Sequence, residues 1–262
     1  MTPTRQRPNL GTIIIASVVI LGTGGVLLAT QMSDRIETSA KKSYVFKTYL
    51  KGDDITIKAA NDSIVTLTGI VSEWSHRSLA EDAVAGLPGV KRVDNKLTVK
   101  GGQPDKNSDA WINMKVKTML MVHRNVSSLK TDVDVKDGVV TLRGQVSSEA
   151  QIELTTEYVR DIDGVKSVKN DMTLEKNKKT TVEKISGDID DASITAQVKI
   201  ALLFHQSTSA VSINVETKNG VVTVRGVAKN GAEKDLVGKL VTNIHGVKDV
   251  KNEITIEQVS LK

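Results

Sequence analysis

The sequence contains no cysteine, only four prolines and four histidines, and aromatic residues make up 3% of it. Without cysteine, disulfide bonds and thiolate metal sites are impossible. Cysteine usage therefore does not indicate whether the protein works in an oxidising or a reducing compartment. None of the histidines falls at a spacing typical of zinc ligands; they are His76, His123, His205 and His245. Because aromatic residues are few, any hydrophobic core must be built mainly from Val, Ile and Leu.

Motifs for enzyme chemistry are also lacking. No G-x-S-x-G, P-loop or G-x-G-x-x-G sequence follows a strand-like run. A hydrolase needs a base and a carboxylate that orients it, and no repeated position of this chain offers such a pair. The sequence therefore predicts a protein that is not an enzyme, with no catalytic residue, no metal ligand and no cofactor.

The sequence contains three copies of one repeated unit. Each copy has two glycines twenty positions apart, and an asparagine follows six positions after the second glycine. These residues are Gly69, Gly89 and Asn95 in copy one, Gly144, Gly164 and Asn170 in copy two, and Gly226, Gly246 and Asn252 in copy three. We therefore expect three structural units of about 68 residues, each only modestly stable alone.

The pattern within one copy predicts its secondary structure. Asp137-Gly138 and Asn219-Gly220 lie between alternating apolar runs, as in a β-hairpin. Apolar residues then recur every four positions, which predicts a helix on either side of the hairpin. The predicted order is helix, strand, strand, helix, strand. The inward strand residues are Val65, Leu67 and Val71 in copy one, Val140, Leu142 and Val146 in copy two, and Val222, Val224 and Ala228 in copy three.

Several details of the unit follow from the same pattern. We expect the first glycine to let helix and sheet approach closely, and the second to adopt positive φ after the helix. We expect the asparagine to be hydrogen-bonded to a turn of its own copy. Copy one has a shorter hairpin with Asp62-Ser63 at its turn, so its first strand should be less regular. Asp34 and Glu37 have the spacing of a helix N-cap and its N3 partner.

The N-terminus indicates the location of the protein. Arg5 and Arg7 precede a stretch that is apolar from Ile13 to Ala29, which is about the length that spans a bilayer. The charges favour a cytoplasmic N-terminus, which places the repeats outside the cytoplasm. We predict a single-pass membrane anchor; the alternative is a cleaved secretory signal that leaves a soluble protein. The predicted parts are the anchor with its cytoplasmic tip (1–32), three repeats (33–100, 108–175 and 190–257) and two linkers (101–107 and 176–189).

The repeated motifs resemble those of the BON domain of bacterial envelope proteins. They read D/S-x-x-I-x-x-x-V, then D/N-G-V-V-T-L/V-x-G, then G-V-K-x-V-x-N, with Ser63 replacing the turn glycine in copy one. The resemblance implies an α+β fold of three tandem αββαβ two-layer repeats following the N-terminal transmembrane helix. It also implies a non-enzymatic periplasmic protein associated with osmotic stress and envelope integrity, and several members of the family bind phospholipid.

The first helix of copy two carries the candidate site. Trp111 lies in its first turn, with Lys115 one turn on and Lys117 beyond, whereas copy three has Ser193 and Gln197 at the first two positions. Indole favours the boundary between apolar and wet regions, and lysine stems extend beside it toward anionic headgroups. We predict that Trp111, Lys115 and Lys117 bind lipid. The alternative is that Trp111 packs against a neighbouring repeat.

The net charge of +5 suits an anionic partner, and we expect that partner to be an anionic phospholipid membrane. A role as a scaffold for envelope proteins is the alternative, since outward Val139, Val221 and Val227 give the sheet faces some apolar character. Nucleic acid is not expected, because the repeats are predicted outside the cytoplasm and lack a basic aromatic groove. His123 and His205 end the first helices of copies two and three, where a polar group suits the helix dipole.

Overall fold

The computed structural model describes residues 23–126, 131–175, 189–208 and 213–257, with side chains from residue 31 onward. Repeat 1 contains α1 (Thr23–Lys42), α2 (Tyr44–Thr48), β1 (Asp54–Ala59), β2 (Ile64–Val71), α3 (Trp74–Ala85) and β3 (Arg92–Val99). Repeat 2 contains α4 (Asp109–Val122), β4 (Thr131–Lys136), β5 (Val139–Val146), α5 (Glu149–Arg160) and β6 (Ser167–Leu174). Repeat 3 contains α6 (Asp191–Phe204), β7 (Asn214–Lys218), β8 (Val221–Arg225), β9 (Val227–Ala228), α7 (Gly231–Thr242), β10 (Asp249–Asn252) and β11 (Thr255–Ile256).

Each repeat has the predicted order of elements, so the α+β prediction of three repeats is confirmed. In repeat 1 the middle strand β2 pairs antiparallel with β1 and parallel with β3. Repeat 2 has the same sheet order. In repeat 3 the sheet divides after Arg225, and β9 continues it beside β11. The two helices of a repeat contribute the apolar face that packs against this sheet.

The core lies between helices and sheets and is mainly aliphatic, as predicted. Val65, Leu67 and Val71 of β2 are fully buried, and the matching residues of β5 in repeat 2 and of β8 and β9 in repeat 3 are buried as well. The hairpin turns of repeats 2 and 3 adopt positive φ at both central residues, for example 53° at Asp137 and 81° at Gly138. This is the backbone twist that joins two right-twisted strands tightly.

A carboxylate at the start of the first helix fixes each of the two Gly-containing hairpin turns. Asp109 accepts hydrogen bonds from the backbone N–H of Asp137 (2.7 Å) and Gly138 (2.8 Å). Asp191 makes the same pair of bonds to Asn219 and Gly220. The sequence analysis missed this interaction, although both aspartates stand at equivalent positions. The first helix and the hairpin are therefore joined by charge-assisted hydrogen bonds.

The repeated asparagine joins the last strand to the second helix. Asn170 Nδ2 donates to the Ile152 carbonyl (3.1 Å) and to Thr156 Oγ1 (2.7 Å) of α5. Its Oδ1 accepts from the backbone N–H of Met172. Asn95 and Asn252 bond to α3 and α7 in the same manner. The predicted hydrogen bonding exists, but the expected partner was wrong: it is a helix and not a turn.

Three further expectations for repeat 1 were wrong. Helix α1 already begins at Thr23, so Asp34 is not its N-cap, and Glu37 instead accepts from the Ala59 backbone N–H (2.9 Å). Strand β1 is regular over six paired residues, because a four-residue loop replaces the tighter turn of the other repeats. Gly69 was expected to allow a close approach of a helix to the sheet, but its close neighbour is strand β1. A Cβ built on Gly69 would lie 1.9 Å from the backbone oxygen of Asp54 in β1.

The predicted membrane span from Ile13 to Ala29 lies largely outside the described residues. None of the helices within the described ranges is long and apolar enough to cross a membrane. Most of the second predicted linker, residues 176–188, also lies outside them.

Gly69 provides a test of the strand geometry. Its φ of +128° and the overlap of an added Cβ with Asp54 predict that Gly69→Ala lowers the free energy of unfolding by about 3 kcal/mol. Gly52→Ala is the matched control, because a Cβ there meets nothing within 4 Å, and it should change stability by less than about 0.5 kcal/mol. Urea unfolding of both variants measures the difference. Equal stability of the two variants would show that the assigned strand geometry is wrong.

Candidate functional site

Helix α4, which carries the three predicted site residues, lies at the junction of all three repeats. Ser108 caps it by accepting a hydrogen bond from the Trp111 N–H (3.1 Å), satisfying one free donor of the first turn. Nine of its 14 residues are buried, because α3 of repeat 1 and α6 of repeat 3 pack against it. A helix buried on more than one face leaves little surface for a ligand.

Trp111 is 9% exposed and packs against an aromatic neighbour. Its ring centroid lies 5.4 Å from that of Trp74 at the start of α3. Trp74 also lies 6.0 Å from Phe204 at the end of α6. One aromatic residue from each repeat thus meets in a single cluster. This is the packing that the sequence left open as the alternative for Trp111.

Lys115 is only 2% exposed. Its ammonium donates to the backbone carbonyl of Asp163 and lies 3.1 Å from the Asp163 carboxylate. The carbonyl belongs to the turn after α5, so Lys115 ties the two helices of repeat 2 together. Repeat 3 has Gln197 at this position, fully buried and accepting a hydrogen bond from Tyr49 Oη (3.0 Å).

Lys117 is the exposed member of the predicted set. It borders a groove of about 190 Å³ between repeats 1 and 2, together with Glu73 and His76. His76 is already paired with Asp53 at 2.6 Å. The three predicted residues therefore share one helix but not one accessible surface, and lipid binding by this set stays a prediction.

A reciprocal joint connects repeats 2 and 3, and sequence reasoning missed it. The end of α4 pairs with the turn after α7, through Arg124 N–H to the Asn243 carbonyl (3.0 Å) and His245 N–H to the Val122 carbonyl (3.2 Å). The end of α6 pairs in the same way with the turn after α5, through Gln206 N–H to the Asp161 carbonyl (2.8 Å). Each repeat therefore closes a helix terminus of the other.

Arg124 strengthens one half of this joint. Its guanidinium donates to the backbone carbonyls of Thr242, Ile244 and Val247. These carbonyls lie in the last turn of α7 and in the loop that follows, where a helix leaves acceptors unsatisfied. A cation is also favoured there by the helix dipole. One side chain of repeat 2 thus caps a helix of repeat 3.

Two buried histidines meet at the centre of the joint. His123 is stacked on Tyr158 with ring centroids 4.0 Å apart, and it lies 6.2 Å from His205. Among the described residues, none is a hydrogen-bond partner of either ring nitrogen of His123. His205 Nδ1 bonds to the Asp161 carboxylate at 2.8 Å. No group of three or more His, Cys, Asp or Glu side chains within the described ranges is placed to hold a metal ion.

Burial controls the charge states in the joint. Desolvation, together with the neighbouring His205 and His245, lowers the pKa of His123 to about 3. Burial and the adjacent Arg124 lower the pKa of His245 to about 4. Burial alone would raise the pKa of Asp161, but hydrogen bonds from His205 and Ser207 outweigh it and lower that pKa. His123 and His245 are therefore neutral at neutral pH. His123, at the C-terminal end of α4, accordingly provides a polar group there and not a positive charge.

The joint should be sensitive to acid. The pKa of His123 falls from 6.5 to about 3 on folding, so protons bind the unfolded chain more tightly. Its contribution to stability is complete above pH 6.5 and is lost as the pH falls toward 3, by at most about 1.4 kcal/mol per pH unit.

His123→Phe removes this titration and keeps a flat ring on Tyr158. Urea unfolding at about pH 7.5 and about pH 5 should show a smaller loss of stability in the variant than in the parent chain. The remaining acid sensitivity comes from His245 and other groups, which are common to both proteins. Identical losses in the two proteins would contradict the buried, neutral state of His123.

The chain has related sequences in two organisms. It is 31% identical over 164 residues to osmotically-inducible protein Y of Escherichia coli (strain K12), a match that covers 63% of this chain and 79% of that protein. It is 28% identical over 154 residues to an uncharacterised protein in the gshII 5′ region of Anaplasma centrale, covering 59% of this chain and 98% of that protein.

Among solved structures, the chain is similar to the C-terminal domain of CdsD, the structural protein of the type III secretion system of Chlamydia trachomatis. Sequence identity is 16%, coverage is 82% of this chain and 96% of that chain, and the TM-score is 0.23. A TM-score of this size supports no conclusion about arrangement or function.

The family comparison identifies all three repeats. The sequence model of the BON domain matches residues 33–101, 108–176 and 190–258. These three ranges contain the helices, the hairpins and the repeated asparagines described above, and together they make up most of the chain. This protein therefore belongs to the BON domain family, with three copies of the domain in one chain.

Proposed function

We propose that this chain is a non-enzymatic envelope protein of the osmotic-stress response that binds phospholipid. The observation that carries the proposal is that BON domains fill most of the chain, together with 31% identity to a protein named for its osmotic induction. The excess of positive charge, +5 at neutral pH, is compatible with an anionic lipid surface.

The repeated polar residues support a binding role over catalysis. Asp109 and Asp191 each satisfy the two N–H groups of a hairpin turn. Asn170 holds its strand to a helix, and Lys115 of α4 holds the turn after α5. Side chains engaged in this way maintain the fold. The surface that remains is therefore better suited to contact than to reaction chemistry.

The proposed location is the periplasm, with the N-terminal segment retained as an anchor in the inner membrane. Its support is the apolar run from Ile13 to Ala29 with Arg5 and Arg7 before it. Intact-mass analysis of the protein from washed membranes should give the full-length chain. A mature protein that starts near residue 30 and is released by osmotic shock would instead establish the soluble alternative.

Vesicle flotation tests the binding function directly. Residues 23–262, which retain every described residue, should float with vesicles that contain phosphatidylglycerol at least tenfold more strongly than with phosphatidylcholine vesicles. Because the attraction is between surface charges, about 0.5 M NaCl should remove most of this difference. Absence of flotation with both vesicle types would exclude phospholipid binding by the described part of the chain.

A second candidate is a scaffold for envelope proteins without direct lipid contact. Its support is the outer face of the sheets, where Ile70, Val139 and Val227 are 53%, 39% and 55% exposed. The same faces carry charged pairs such as Arg225 with Glu216 and Glu253, a mixture typical of the rim of a protein interface. Failure of flotation together with specific capture of an envelope protein would favour this function.

A further inference from the structure

The connection from α1 to β1 is the most uniformly basic exposed part of repeat 1. Lys41 and Lys42 end α1, Lys47 lies in the last turn of α2, and Lys51 follows in the next turn. All four side chains are exposed, and residues 38–52 contain no acidic residue. We call residues 41–51 the basic segment.

Two carboxylates near the basic segment are engaged elsewhere, and a third, Asp54, is exposed at the start of β1. Glu37 accepts from the Ala59 N–H, and Asp53 binds His76 and the Ser72 N–H. Within the described part of the chain, no acidic group forms an ion pair with any of the four lysines. Their charges are therefore available to an external anion. The dipole of α1 favours Lys41 and Lys42, but Lys51 lies outside both helices and gains nothing from it.

Aromatic residues lie between these lysines. Tyr44, Phe46 and Tyr49 are three of the seven aromatic residues of the chain, which has two Trp, three Tyr and two Phe. All three are partly exposed, but the Tyr49 hydroxyl is directed inward, where it donates to the buried Gln197. Aromatic rings that are partly buried in protein and flanked by lysines are typical of surfaces that meet lipid headgroups.

The segment is held rigidly by repeat 3. The backbone N–H of Tyr44 donates to Asp190 Oδ2 (2.8 Å), and that of Val45 donates to Ser193 Oγ (3.1 Å). The side chains of Val45 and Leu50 are buried in the core. Because the backbone is fixed, the lysines need little further ordering when they meet a charged surface, and this lowers the entropic cost of binding.

We propose that the basic segment is the surface through which this protein contacts an anionic phospholipid bilayer. The proposal rests on the proposed function and names the surface that performs it. Four lysines near an anionic membrane each strengthen binding by about fivefold, while the partly exposed rings of Tyr44 and Phe46 lie beside them at the headgroup layer. In the sequence-predicted set, by contrast, Trp111 and Lys115 are enclosed between helices.

The absence of cysteine allows one position at a time to be labelled in the full chain. Thr48 is exposed between Lys47 and Lys51, so Thr48→Cys carrying an environment-sensitive nitrobenzoxadiazole label reports on the basic segment. The full chain is reconstituted in nanodiscs of phosphatidylcholine, alone or with about 30% phosphatidylglycerol. The emission should shift to the blue only in the anionic discs, and about 0.5 M NaCl should reverse the shift.

Two variants of the Thr48→Cys protein, each with four lysines changed to glutamine, test whether the position of the lysines matters. Both variants lose the same amount of charge. Glutamine at the four lysines of the basic segment should abolish the shift. Glutamine at four exposed lysines elsewhere should preserve it; these are Lys100, Lys106, Lys229 and Lys239. A label at the exposed Ser167 of repeat 2, introduced as Ser167→Cys, should not respond to lipid composition.

The outcomes separate this proposal from the proposed function. If the protein floats with anionic vesicles but the label at position 48 does not respond, phospholipid binding stands and the basic segment is not its surface. A response of a label at Lys117→Cys in place of position 48 would return the site to α4. If neither flotation nor any label responds, the proposed function fails as well. An equal loss of the shift in both glutamine sets would reduce the effect to net charge and overturn the proposal.

Discussion

Burial of the first helices of repeats 2 and 3 is the constraint on which the rest of the structure depends. Eleven of the 14 residues of α6 and nine of the 14 residues of α4 are buried. A domain of about 70 residues has too little surface of its own to enclose a helix on every side. The three repeats therefore pack around these helices, and the packing decides which residues are left to meet a partner.

The architecture of one repeat could be predicted because its signals are local. Asp-Gly and Asn-Gly turns, alternating strand residues and four-residue helical spacing each act within one copy. The environment of Trp111 and Lys115 could not be predicted in this way, because Trp74 and Phe204 approach from other repeats. A signal was available in α6, where apolar or small residues surround the helix, since a helix without a polar face is normally enclosed. The joint at His123 and His205 has no sequence signal beyond their equivalent positions.

Residues at equivalent positions of the three repeats occupy the same place in the fold but have different interaction partners. Lys115 fastens the turn after α5, whereas the equivalent Gln197 receives the hydroxyl of Tyr49 from repeat 1. Asp34 is the counterpart of Asp109 and Asp191 but lies inside a helix that began earlier. Of Lys115 and Gln197, Gln197 contacts another repeat, whereas Lys115 contacts its own. The sequence difference between repeats 2 and 3 at these positions therefore reflects a difference in packing and not in exposure.

Repeats 1 and 3 contact each other directly, so the three repeats form a closed group and not a linear array. Lys199 of α6 bonds to Asp82 of α3 at 2.9 Å, and α2 is fixed to the start of α6. In an open solenoid each repeat touches only its sequence neighbours, so its ends fray and partial unfolding is inexpensive. Here the last repeat contacts both others, and its departure would uncover apolar helix surface on each. Opening of repeat 3 alone is consequently costly, and proteolysis within the described parts of the repeats should depend on the joint unfolding of all three.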